Sequence, residues 1–216
     1  MTSLGLTPLS RSFYEPSAEL VAPALLGHWL IRNTPEGPCG GPIVEVEAYL
    51  VGDPACHGYR GESQRNRAMF GSPGHAYVYL IYGLYFCVNA VCRPKGCAEA
   101  VLIRAIEATL GEARMRDRRQ VKELPDLTSG PAKLCGALEI DRRLDGADIC
   151  DAGAPLFIAR NPDHKQFLIA KGPMVSTTRV GLTKAANLPL RFYLGASPFV
   201  SKRFSGESSK RIRSAR

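Results

Sequence analysis

The chain has 216 residues, 45% of them hydrophobic, and carries 28 Lys and Arg against 20 Asp and Glu, a formal net charge of +8. That apolar content is enough for one substantial core and excludes an acidic or low-complexity disordered protein. Its seven cysteines form no C-x-x-C pair and no zinc spacing with histidine, no apolar run approaches the roughly 20 residues of a membrane span, and the first residues lack a charged-then-apolar pattern, so no secretion signal is expected. A reduced intracellular protein is therefore expected, cytoplasmic or nucleoid-associated if bacterial, free of membrane, with no metal and no cofactor.

A helix is expected over residues 17–26 and a strand over 28–32. Residues 43–50 then read IVEVEAYL. In an extended chain successive side chains point to opposite faces, so Val44, Val46, Ala48 and Leu50 form an apolar set while Glu45, Glu47 and Tyr49 share the other face. Two carboxylates looking one way suit acid–base chemistry. They also suit a charged strand face that resists edge pairing, or a structural ion pair.

Residues 73–89, PGHAYVYLIYGLYFCVN, hold four of the eight tyrosines. The alternation through Tyr77, Tyr79 and Ile81, the turn-permitting Gly83 and the β-formers after it predict a hairpin with Tyr82 at its tip. Tyr77, Tyr85 and Phe86 are expected inside the core. A large aromatic beside the turn glycine is harder to bury and suits a wedge between base pairs.

Arg104 stands in the apolar run VLIRAIE at 101–107, where a charge requires a buried partner. A basic helix follows over 112–122, and a second over 131–138, with Ser129 as its N-cap and Pro131 in its first turn. Strands are expected at 155–159 and 190–194. Helices and hairpins without a regular βα repeat argue for α+β. Residues 1–200 read as one domain. Residues 201–216 carry six Lys or Arg against one Glu and read as a disordered basic tail, which either adds salt-sensitive, sequence-independent DNA affinity or is merely solvated.

Taken in order, IVEVEAYL, DPACH at 53–57, RNRAMF at 65–70, the tyrosine hairpin, VLIRAIE, SGPAKL at 129–134, RVG at 179–181 and LRFYLGASPFVS at 190–201 resemble the alkyladenine type of 3-methyladenine DNA glycosylase. The resemblance covers residues 9–201. It implies a single compact domain with a curved, mostly antiparallel sheet, surrounding helices and a protruding DNA-inserting hairpin. It further implies a monomer acting on double-stranded DNA that contains damaged purines. Such an enzyme flips the purine out of the duplex and hydrolyses its N-glycosidic bond without a lyase step.

Residue by residue, the resemblance makes Glu47 the base that activates water, Arg104 the side chain that positions that water, and Val180 the backbone carbonyl that holds it. Tyr49, Tyr79 and His57 would line the base pocket, and Asn89 would crowd the place of a guanine amine, though a strand Asn near a turn equally suits a backbone-bonding residue. Tyr82 would fill the gap left in the stack. Arg60, Arg65, Arg67, Arg119 and Lys133 are candidate phosphate contacts, each equally readable as a solvated basic residue. Glu45 is expected to matter less to activity than Glu47. Two other functions fit parts of the chain: a lesion-binding protein without turnover, and a single-strand or RNA binder using the tyrosine platform.

Overall fold

The computed structural model describes residues 5–203. In chain order it contains α1 (Ala18–Leu25), β1 (Trp29–Thr34), β2 (Gly37–Tyr49), β3 (Ala76–Ile81), β4 (Tyr85–Cys92), β5 (Glu99–Ile106), α2 (Glu112–Arg118) and α3 (Pro131–Leu138). β6 (Leu156–Ala159), α4 (His164–Ala170), β7 (Met174–Thr177) and β8 (Arg191–Leu194) complete it. The strands form one curved sheet in the order β3-β4-β5-β2-β1-β6, with β8 joined to β2 and β7 to β8. All pairings are antiparallel. This is the α+β, single-domain architecture that the irregular order of elements predicts.

β2 organises the molecule. Its first half pairs with β1. Its second half pairs with β5 on one edge and, through Glu45, Val46 and Glu47, with β8 on the other. Gly41 permits this crowding, because a Cβ there would lie 1.7 Å from the carbonyl oxygen of Glu107. With both edges paired and helices packed on the sheet, every residue from Ile43 to Ala48 is buried, the two glutamates included. Of the readings open for the two carboxylates, the charged, solvent-facing strand is thereby excluded. Central strands have no free edge to defend, and both faces of this one are covered.

The hairpin is formed by β3 and β4, with Ile81 opposite Tyr85 and Tyr82, Gly83 and Leu84 in the turn. Tyr82 (φ 53°) and Gly83 (φ 69°) both take left-handed backbone. Tyr77 is buried as expected, and Phe86 packs against the core. Tyr85 is not inside: it is 48% exposed, because its place opposite Ile81 is the last pair before the turn and lies past the edge of the core. Leu80, Tyr82 and Leu84 are exposed with it, so the tip presents four large apolar side chains.

Other boundaries shift modestly. The basic helix ends at Arg118 because Arg119 is extended. Gly130, not Ser129, is the N-cap residue of α3, and the Ser129 hydroxyl instead faces Lys133 Nζ at 3.3 Å. α4 and β7 were not foreseen. The first residues of the expected tail are held by the body: Ser201 bonds to Glu45, the Lys202 carbonyl accepts from Arg191, and Arg203 donates to the Ser197 carbonyl at 2.7 Å. Residues 204–216 lie outside the described residues. No helix among the described residues is long and apolar enough to cross a membrane.

Candidate active site

β5 brings Arg104 to β2. Leu102 stands opposite Glu47, and Arg104, two residues on, shares its face of the sheet. Arg104 Nη1 lies 3.1 Å from Glu47 Oε1 and Arg104 Nε donates to Glu45 Oε1 at 2.8 Å. One guanidinium therefore reaches both glutamates, which places them on one side of β2 despite the register shift at Glu45. The Val180 N–H also donates to Glu47 Oε1, at 2.8 Å, and the Tyr49 hydroxyl donates to Oε2 at 2.9 Å.

These charges persist in the interior because they are paired. Burial would lower the Arg104 pKa, but Glu47 and Glu45 hold it above the usual value. Burial would raise that of Glu45, yet Arg104, Arg191 and the Ser201 N–H bring it below the ordinary carboxylate range. For Tyr49, burial and then the charge of Glu47 push the phenol well up, so it stays protonated and serves as a donor.

Glu47 and Arg104 line a cavity of about 440 Å³ together with Tyr49, Tyr79, Asn89 and Cys87, and Tyr82 stands at its rim. That volume is in the range of small-molecule sites, roughly 300 to 1,000 Å³. Tyr77 and Tyr79 stack with ring centres 5.3 Å apart, and His57 meets the Tyr79 ring edge-on at 4.4 Å. His57 Nδ1 is 2.9 Å from the Tyr77 hydroxyl. Burial, and then the charge of Arg65, lower the His57 pKa, so the ring is neutral at pH 7. Behind Tyr49 the Arg179 guanidinium lies 4.6 Å from the ring centre. It bonds to the Ala48 carbonyl and to Asp53, which anchors the loop that presents Val180.

The eight residues expected at the reaction centre and base pocket, Glu47, Arg104, Val180, Tyr49, His57, Tyr79, Asn89 and Tyr82, thus meet at one cavity. Val180 turns its N–H, not its carbonyl, to Glu47. Asn89 is buried in the wall, and its Nδ2 donates to the carbonyl of Tyr77, its cross-strand partner, at 3.0 Å.

The basic candidates are dispersed. Arg65 shares a cleft with Tyr82 and Arg142 beside the hairpin and donates to the Leu80 carbonyl at 3.0 Å. Arg67 faces Glu62 at 3.6 Å, Arg60 is exposed, Arg119 lies against Gly136 of α3, and Lys133 pairs with Asp126 at 2.7 Å. Sequence reasoning missed Arg191, Ser201, the Asp53–Arg179 pair and Cys87. The signal that found Arg104, a charge in an apolar strand, is present again in LRFYL at 190–194.

Residues 12–198 match the family model described as methylpurine-DNA glycosylase. The chain belongs to that family. A relative from Methanoculleus marisnigri is 49% identical over 195 residues, covering 90% of this chain and 99% of its own length. Another, from Rhodopseudomonas palustris, is 48% identical over 196 residues, covering 91% and 89%. Both are provisionally named 3-methyladenine DNA glycosylase. A DNA glycosylase is a hydrolase of DNA repair, so family membership makes DNA the substrate with which the cavity must be reconciled.

Proposed function

We propose that this protein is a monofunctional glycosylase that excises damaged purines from duplex DNA by hydrolysis. The observation that carries the reading is the setting of Glu47. It is wholly buried at a cavity of purine-accommodating size, with Arg104 and the Val180 N–H on one oxygen and the Tyr49 hydroxyl on the other. A carboxylate offers about four lone-pair sites; the Val180 N–H and the Tyr49 hydroxyl take two, which leaves room for a water beside the paired Arg104.

In the reaction the damaged nucleotide rotates out of the stack and its base enters between Tyr49 and the Tyr79–His57 side of the cavity, while Tyr82 occupies the vacated space. Glu47 takes a proton from the water whose oxygen bonds to C1′, and its negative charge stabilises the sugar as it becomes cationic. The N-glycosidic bond breaks and its electron pair leaves with the purine. A cationic alkylated purine departs neutral, whereas a neutral one departs as an anion that takes a proton from solvent, and Glu47 returns to solvent the proton it accepted. Lysine is absent from the described lining of the cavity, so no amine is at hand for a Schiff base and a lyase step. Incubation with duplexes that each carry one hypoxanthine, ethenoadenine or methylated purine, followed by alkaline cleavage of abasic sites, tests the reading. Strand scission confined to lesion duplexes and dependent on alkali supports it; no scission after alkali with any of them sinks it.

Asn89 is proposed to act as a selectivity wall. Its bond to the Tyr77 carbonyl fixes the side chain, so a guanine amine meets a group that cannot swing aside. Asn89→Ser is expected to raise the ratio of guanine to hypoxanthine release by about tenfold, within the range by which pocket contacts discriminate. An unchanged ratio with a lowered melting temperature would leave Asn89 as a brace between β3 and β4 and nothing more.

A further inference from the structure

Glu45 has no exposed surface, yet it does not line the cavity and the proposed reaction gives it nothing to do. Its bonds are numerous. Oε1 accepts from Arg104 Nε, Arg191 Nε and the Ser201 hydroxyl, each at 2.8 Å, and Oε2 accepts from the Ser201 N–H at 2.6 Å. Ser201 Oγ is also within 3.1 Å of Arg104 Nη2. The planar Arg104 fork is thus held at Nε by Glu45 and at Nη2 by Ser201, which leaves it no rotation and aims Nη1 at Glu47.

Resting on the glycosylase reading above, we propose that Glu45 is a positioning residue for the hydrolysis: with Ser201 it orients Arg104, and through Arg104 the carboxylate of Glu47. The charges support the same role. Glu45 and Glu47 balance Arg104 and Arg191 in one buried chain, and Arg191 also donates to the Lys202 carbonyl, so the segment after β8 closes the network from behind. A carboxylate serving stability alone needs one cation in good geometry. This one spans two cations and reserves the Nε of the arginine whose far nitrogen faces the reaction centre.

The test is a double-mutant cycle on the single-turnover rate of hypoxanthine release, with enzyme in excess so that a loss of folded material does not alter the constant. Glu45→Gln is expected to lower the constant about tenfold while affinity for a duplex with a reduced abasic site, which offers no bond to break, stays within twofold. In an Arg104→Ala background the same change is expected to cost less than twofold, since the group through which it acts is gone. A purely structural Glu45 would lower the melting temperature and leave the cycle additive. Rates within twofold of the parent, or losses that multiply in the double variant, would overturn the proposal. If Glu45→Gln does not fold, Ser201→Ala carries the same cycle, with about a threefold loss expected that vanishes without Arg104, and additivity again overturns the role. A parent enzyme that releases no purine overturns the activity itself and this inference with it, whereas an active parent with an additive cycle removes only the role of Glu45.

Discussion

Replacement of Glu47 by Gln is expected to leave lesion-duplex binding within a few-fold of the parent and to lower the single-turnover rate of base release by roughly 10² to 10⁴, the range general-base catalysis contributes. The variant should fold. Arg104 Nη1 and the Val180 N–H both address Oε1, where the amide oxygen can stand in. The amide nitrogen then faces the Tyr49 hydroxyl, which can turn from donor to acceptor. Shape and hydrogen bonds are kept, and what is removed is the proton acceptor and the negative charge that the proposed hydrolysis requires. Release measured with enzyme in excess on a hypoxanthine duplex, beside a binding isotherm on the reduced abasic duplex, separates the two effects. A release constant within tenfold of the parent would take Glu47 out of the base role, while joint loss of binding and release would make it a residue that shapes the cavity.

The alternation in IVEVEAYL placed Glu45 and Glu47 on one side of a strand, and Arg104 touches both. Alternation speaks only of sides, however. It does not say that β8, the last strand in the chain, returns to pair with β2 and covers those carboxylates. The burial of Glu45 and its dependence on Arg191 and Ser201 are products of that long-range pairing. The hairpin was legible because its signal is local: β-formers, a turn glycine, β-formers again. Tyr85 was misjudged because an apolar side chain has no mark in the sequence for lying beyond the core's edge. The basic candidates were the least legible. Lys133 and Arg67 find acidic neighbours, Asp126 and Glu62, that composition alone does not bring near them. Those pairs are partly exposed, and surface pairs of this kind contribute about 0 to 1 kcal/mol, little enough for a phosphate to displace.

Truncation of Tyr82 to Ala is expected to weaken the hold on a flipped nucleotide in duplex DNA by roughly 10- to 100-fold and to spare single-stranded substrate. The side chain is 87% exposed at the hairpin tip, so its removal leaves no hole in the core. Its backbone is left-handed, φ 53°, a conformation that costs a side-chain-bearing residue about 1 to 2 kcal/mol and that glycine or asparagine would adopt more readily. Neither burial nor backbone preference accounts for a tyrosine there, and an observed outlier of this kind points to function. Contact with a base is worth about 1 to 3 kcal/mol, and 1.4 kcal/mol is a tenfold change in an equilibrium, which sets the size of the expected loss. Leu80, Leu84 and Tyr85 remain to cover part of the vacated space, so the upper end of that range is not expected. The flipped population, read from a fluorescent base beside the lesion, should fall in the duplex, while release from a single strand stays within twofold because no stack closes behind the base. Equal losses on both substrates would show that Tyr82 shapes the cavity at whose rim it stands and does not act as a wedge.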